Sequence, residues 1–409
     1  MPAANRQPAR NRPRIRTSAL VALKAHDQIA LAAHAHAASA RAATGRLTCV
    51  AWRDLEHEVD AWDRLALVAS EPNPFFESWY LLPSLRHLPD TDRVMVLRYE
   101  QDGELAGLLP VIRAGRYYRW PVPQISSWLH ANCFCGVPLV AEGAEMPFWR
   151  AVLRWADAEP GAALFMHFRG MVLGGALHAA LESVAASEAR QVEVVHSEAR
   201  AMLASDMTPD AYLEASLSGK KRKELRRQSS RLAEEGLVSF ERRIDGESVA
   251  SWCDDFLALE KAGWKGKAGS ALACEERTAR MFRDCLRGAA EQGRLERLTL
   301  TLNGRPLAML ATFLTPPGAY SYKTAFAEEF ARFSPGVLLQ RENLAVLARH
   351  GIAWTDSCAS ADHPMIDHLW RERRAIGRLS IAIGGTLRRA AFRRFVRAEM
   401  ARNPSGPLP

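Results

Sequence analysis

Between Leu295 and Leu302 the chain alternates Leu298, Leu300 and Leu302 with Arg297, Thr299 and Thr301. A period of two predicts a strand with one buried face. Asn303-Gly304 predicts the turn that follows, because a type I′ hairpin needs positive φ at both central residues. Pro306 to Leu314 reads as the return strand, Thr315-Pro316-Pro317-Gly318 as a second turn, and Ala319 to about Phe326 as a third strand. The period then changes. After Ser334-Pro335-Gly336 the apolar positions Val337, Leu338, Leu344, Leu347 and Ala348 recur at helical spacing as far as His350-Gly351. Ser334 suits the N-cap and Pro335 the first helical position. Ile352 to Cys358 returns as a strand, and a strand reached through a helix should lie parallel to the third by a right-handed crossover.

The same order occurs earlier. Val94, Val96 and Leu97 mark a strand, Asp102-Gly103 a turn, and Leu105 to Ile112 the return. An extended segment passes through Trp120 to Leu139, a helix runs from Pro147 through Trp155, and Ala163 to Phe168 is again a strand. The repetition implies an internal duplication, two copies of one fold. Around it, Val50 to Ala69 reads as a helix, Pro72 to Tyr80 as an aromatic-rich entry, and Gln191 to Ala204 as the exit from the first copy. Thr208-Pro209-Asp210 opens a new helix, and Trp252 to Lys261 and Glu275 to Gln292 are helical. From Arg378 onward, Leu379, Ile381, Ile383, Leu387, Phe392 and Val396 mix with Arg388, Arg389, Arg393, Arg394 and Arg397. That pattern predicts a basic amphipathic helix, lying on an anionic membrane or docked on the body with a solvated basic face. The boundaries that follow are a disordered basic tail over 1–46, a degenerate copy over 47–205, an active copy over 206–375 and a basic amphipathic tail over 376–409.

Where the copies differ is where chemistry is expected. Gly336 lacks a Cβ and opens a helix whose first N–H groups have no intrahelical partner, an arrangement suited to a pyrophosphate. The first copy has Glu145-Met146-Pro147 there, and that carboxylate would repel a phosphate. Lys220 to Arg231 holds seven basic residues and one acid. It reads either as a solvated face or as Lys220, Lys221 and Arg222 reaching cofactor phosphates or an anionic acceptor. In Gly263-Trp264-Lys265-Gly266 the glycines flank a flat ring and a cation, which suits a loop over an acceptor channel as well as a surface turn with a packed Trp.

Four phrases carry a family resemblance: KKRKELRRQSSRLAEEG from Lys220, LEKAGWKGKAGSAL from Leu259, YKTAFAEEFARFSPGVLL from Tyr322 and DSCASADHPMIDHLWRERR from Asp356. Together they span the second half and resemble the Gcn5-related N-acetyltransferases (GNAT), in the branch named after cellulose-biosynthesis proteins. That branch is similar to the aminoacyl transferases that build peptidoglycan cross-bridges. The resemblance implies an α+β fold of two tandem GNAT-like copies, each a mixed, mostly antiparallel sheet flanked by helices. It implies acetyl-CoA or another acyl-CoA as donor, admitted between two parallel strands that splay apart, and an amine acceptor on a small molecule, saccharide or peptide. On this footing Ser334, Pro335 and Gly336, with Lys220 and Arg222, would hold the cofactor. Tyr322 or Lys323 would stabilise developing charge or the thiolate. Asp356 is the candidate base, with Asp362 a weaker one, and Trp264, Lys265 and Asp362 would face the acceptor. Tyr320 and Tyr322 read equally as sheet residues, and Asp356 as a cap for the next helix. A role in extracellular polysaccharide or cell-envelope synthesis is the corresponding expectation. The rivals are aminoacyl transfer from charged tRNA, and a non-catalytic scaffold in polysaccharide production.

Composition narrows this picture. The 409 residues allow two medium domains and carry a net charge of +8. Residues 1–46 contribute +7 and residues 371–409 contribute +8, so the body between them carries −7. The basic pI of about 9.3 is therefore poor evidence for nucleic-acid binding, and none is expected. The seven cysteines form neither a disulfide framework nor a zinc-type pair, which suggests reduced thiols in a cytoplasmic protein. His363, Asp367 and His368 superficially resemble metal ligands, but Pro364 interrupts them, and no metal is expected. No apolar run is long enough to span a bilayer, so membrane contact would be peripheral, at the inner face through the C-terminal helix.

Overall fold

The computed structural model describes residues 45–361 and 363–402. Asp362 and the tail over 1–44 lie outside the described residues. The first half runs β1 (Gly45–Ala51), α1 (Val59–Leu67), α2 (Ser78–His87), β2 (Val94–Gln101), β3 (Glu104–Ala114), β4 (Gln124–Ser127), β5 (Leu139–Val140), α3 (Glu145–Ala158), β6 (Phe165–Val172), α4 (Ala176–Ser187) and β7 (Val192–Leu203). The second runs α5 (Pro209–Ser216), α6 (Gly219–Glu234), β8 (Val238–Arg243), α7 (Val249–Ala262), α8 (Glu276–Glu291), β9 (Leu295–Leu302), β10 (Arg305–Thr315), β11 (Gly318–Phe326), α9 (Pro335–Asn343), β12 (Trp354–Asp356), β13 (Glu372–Ala382) and α10 (Thr386–Arg402). Both predicted hairpin turns form with positive φ, at Asp102-Gly103 and at Asn303-Gly304.

These strands form one mixed sheet in the order β1-β2-β3-β4-β6-β13-β7-β12-β11-β10-β9-β8, with β5 on β3. Two neighbouring pairs are parallel, β4 with β6 and β11 with β12. Read inward from either edge, each half is a meander that ends in one such pair, which is the internal duplication in structural form. The centre shows an exchange. The last strand of the second half, β13, lies between β6 and β7 of the first, and β7 lies against β12 of the second. Residues 192–203 therefore do not simply lead out of the first copy. Nor does a helix begin at Arg378: residues 372–382 form a central strand, and α10 starts at Thr386. Pairing on both edges explains the difference, since Leu379, Ser380, Ile381 and Ala382 on β13 are all buried, as in a central strand covered on both faces. The helix then docks through Phe392 and Val396 against Tyr117, Phe165 and Val195. At the other end, β1 and a short 3-10 turn take the first part of the range expected to be helical from Val50, and α1 takes the later part.

Helices complete the join. Helix α2 lies against α8 of the other half, where a Cβ on Gly288 would come within 2.9 Å of Trp79 Cβ. His87 Nε2 lies 2.6 Å from Asp284 Oδ2. The main apolar core runs through this contact without a break, from Trp62 and Phe75 to Phe282 and Phe313. Among the described residues no helix is long and apolar enough to cross a membrane.

Candidate functional site: a gap between parallel strands

Strand β11 pairs with β10 over most of its length but meets β12 only at Gly318–Trp354, Ala319–Thr355 and Tyr320–Asp356. Beyond Asp356 the chain follows β7: Ser357 N–H donates to Ala201 O at 3.2 Å, and Cys358 turns away with φ at 53°. The parallel strands therefore part after Tyr320, and β12 leaves the backbone edge of Ser321 to Phe326 free. Register with β10 also slips here. Ala311 pairs with Lys323 and Thr312 with Ser321, so Tyr322 is the extra residue of a bulge. In a regular strand Tyr322 and Lys323 would point to opposite faces. The bulge lets both meet Phe134, whose ring lies 6.0 Å from that of Tyr322 and 5.5 Å from Lys323 Nζ.

Lys323 Nζ donates to Asn132 Oδ1 at 2.7 Å. Burial, then the neighbouring charge of Lys265, bring its pKa down to about 8 against the opposing pull of Glu260 and Cys358. Lys265 is fixed in turn: its Nζ donates to Glu260 Oε1 at 2.9 Å and lies 3.5 Å from Thr324 O. Glu260, itself buried, also accepts Leu272 N–H at 2.8 Å, so one carboxylate ties both ends of the loop that carries Trp264. The backbone N–H of Trp264 donates to Glu328, and the residue is 56% exposed at the rim.

Two expected catalytic groups have structural duties instead. Tyr322 lies inside an aromatic cluster, stacked on Phe313 at 4.5 Å and edge-on to Tyr80 at 5.7 Å. The phenols of Tyr80 and Tyr322 are 3.1 Å apart, and Tyr80 donates to Asn132 O. A carbonyl only accepts, so the Tyr80 proton is committed there and Tyr322 must donate to Tyr80, leaving it no proton for a thiolate. Asp356, 1% exposed, accepts Cys358 N–H at 2.8 Å and lies 3.6 Å from Arg200 and 3.5 Å from Arg374. Its oxygens are thus engaged by a backbone N–H and two guanidiniums in a buried ion-pair network. Cys358 is no nucleophile either, because burial and then Asp356 push its thiol pKa well up.

The cofactor-binding set also divides. Pro335 takes the first helical position of α9 as expected, but Ser334 sits in the left-handed region at φ 53° and makes no side-chain cap. Gly336 is buried, and a Cβ there would meet Met365 Sδ at 3.1 Å and Phe326 at 3.3 Å. A side chain there would have to displace Met365 and Phe326 by a few tenths of an ångström, so close packing is a structural reason for glycine beside the ligand-binding one. Lys220 and Arg222 lie elsewhere. Arg332, just before α9, pairs with Glu235 past the end of α6, while Arg222 shares a cavity with Arg341 and Leu344 past the end of α9. These contacts run the helices antiparallel and set the basic start of α6 beside the end of α9, not its start. Lys220 and Arg222 are therefore not gathered at the Ser334-Pro335-Gly336 helix start. His363 spends Nδ1 on the N–H groups of Met365 and Ile366, and among the described residues no His, Cys, Asp and Glu group is placed to hold a metal.

The first half lends the site Tyr80, His130, Asn132 and Phe134, none of which the sequence reading singles out as functional. The segment holding the last three rests where the first half's own parallel strands end. Gly136 N–H donates to Gly170 O at 2.8 Å, and a Cβ on Gly136 would lie 1.9 Å from Arg169 O. Gly136, so close to another backbone, is the local signal for this docking.

Residues 219–363 match the family model described as an acetyltransferase (GNAT) domain. No curated protein sequence matches the chain. The crystal structure of FemX superposes with a TM-score of 0.51 at 12% identity, covering 79% of this chain and 95% of FemX. A conserved protein of unknown function from Bacteroides thetaiotaomicron superposes with a TM-score of 0.51 at 13% identity, covering 80% of this chain and 97% of its own. Together with the repeated meander and the parting strands, these likenesses give the chain a GNAT-like fold of the kind seen in FemX, and its second half is similar to an acetyltransferase (GNAT) domain over residues 219–363.

Proposed function

We propose that the second half transfers an acyl group from acyl-CoA, in the first place acetyl-CoA, to an amine acceptor. The observation that carries this reading is the parting of β11 from β12 beside the Tyr322 bulge, with Lys323 at the opening. The free edge of β11 offers N–H groups to the thioester carbonyl oxygen, where negative charge develops. The amine attacks the carbonyl carbon, the C–S bond breaks, and the sulfur leaves with the electron pair. Lys323, an ammonium below about pH 8, gives the sulfur its proton and then takes one from the new amide nitrogen, returning to its starting state. Trp264 and Lys265 line the acceptor's approach.

This assigns the proton chemistry to Lys323 and leaves Asp356 in its ion pairs with Arg200 and Arg374. Thiol release from acetyl-CoA, measured over a panel of amines, tests it. Activity should fall as pH rises through about 8, because the ammonium is then lost. Lys323→Met should lower kcat by about 10²–10⁴-fold and abolish that falling limb, with acetyl-CoA binding retained. An unchanged profile in the variant contradicts the assignment, and turnover only with aminoacyl-tRNA would replace the donor.

A further inference from the structure

The two parallel pairs give the halves a common register. Ile125–Met166 and Ser126–His167 in the first half correspond to Ala319–Thr355 and Tyr320–Asp356 in the second. Matched from the last parallel pair, His167 thus stands where Asp356 stands, so an imidazole takes the place of the carboxylate at this position. Arginines surround a cavity beside it of about 460 Å³, lined by Arg116, Arg169 and Arg378 with Tyr118 and Trp128. None of the described residues lining it is Asp or Glu.

Two buried polar atoms among the residues lining it are unsatisfied. His167 is 1% exposed and shares a hydrogen bond with Ser380 Oγ through Nδ1 at 3.0 Å, leaving Nε2 without a partner. Burial, then the charges of Arg169 and Arg378, bring its pKa down to about 3, so the ring is neutral and offers one hydrogen-bonding nitrogen. Gln124 is 6% exposed, and its Oε1 has no partner while its amide lies 3.4 Å from Arg116 O. Burying such groups unsatisfied is costly. A ligand with oxygens for the guanidiniums and a hydroxyl for Gln124 removes that cost. Tyr118 holds Arg378 in place, accepting from its guanidinium at 2.8 Å.

We propose that this cavity binds the phosphate group of an organic ligand. Guanidinium forks match phosphate oxygens, and three of them around one cavity supply more charge than a single carboxylate would balance. The faces of Tyr118 and Trp128 suit a ring attached to that phosphate. A second cavity of about 140 Å³ shares Leu129, Arg169 and Arg378, adds Glu198 and Arg200, and continues toward His130 and Phe134, giving the uncharged rest of the ligand room. The phosphate cavity itself is lined by no residue that the contacts above bring to Lys323; only its extension reaches Phe134, which Lys323 also meets.

Calorimetry on the full chain, with pyrophosphate, inorganic phosphate and acetate as probes, tests the proposal. Saturable binding of pyrophosphate and weaker binding of phosphate, with none of acetate, is expected. Arg116→Gln and Arg169→Gln should each weaken pyrophosphate binding about tenfold or more while Tm and acetyl-CoA binding stay unchanged. Equal binding by the intact protein and both variants overturns the site. Acetate binding as tightly as pyrophosphate overturns the phosphate assignment, and loss of acetyl-CoA binding in step with pyrophosphate would move the anion to the acyl-CoA site. Lys323→Met should bind pyrophosphate as the intact protein does, so this site and the transfer reading can fail separately.

Discussion

Asp356 and Lys323 share one strand gap and divide its work by environment. Asp356 is enclosed with Arg200 and Arg374, whose side chains are 8% and 11% exposed. Removing the carboxylate would leave two buried cations uncompensated, so Asp356→Ala should cost about 3–5 kcal/mol in chemical unfolding. Any surviving activity should keep its fall near pH 8, whereas a base role would place a lost rising limb in the same variant. Lys323 was legible in the sequence, because the phrase around Tyr322 resembles a known family. Its neighbours were not. Asn132, which accepts the Lys323 hydrogen bond, is 191 residues away, and no local pattern announces a contact over that separation.

At the scale of elements, period and turn chemistry carried the reading furthest. Both hairpins, the α7 and α8 helices and the parallel return of β12 follow from alternation, Asn-Gly and Asp-Gly turns, and a helix between strands. The reading failed where tertiary packing decides. Helix α6 has a basic start that invites a phosphate, but its antiparallel course over α9 takes that start to the far end. The stretch from Arg378 has apolar residues that fit either period over a short run, and pairing on both sides by β6 and β7 makes it a strand. The α2–α8 contact makes its own demand. Gly288→Val should cost about 1–3 kcal/mol, read as a lower denaturant midpoint, because the added atoms meet Trp79 faster than helix propensity can compensate.

For the whole molecule, the exchange of β7 and β13 decides what can stand alone. Without the first half, β13 loses both partners and β12 loses one edge. Residues 206–402 expressed alone should therefore lack a cooperative unfolding transition, and co-expression with residues 45–205 should restore it. A lone second half with a sharp transition would mean the exchange is not needed for folding. The same union explains why the first half, lacking the Ser-Pro-Gly helix start, still supplies Tyr80, Asn132 and Phe134 to the gap. The central claim is that this gap receives an acyl thioester, and calorimetric titration of the intact protein with acetyl-CoA measures it most directly. Saturable one-site binding near micromolar affinity, about −8 kcal/mol, is the predicted result. Absence of binding to acetyl-CoA and to longer acyl-CoAs alike would contradict it.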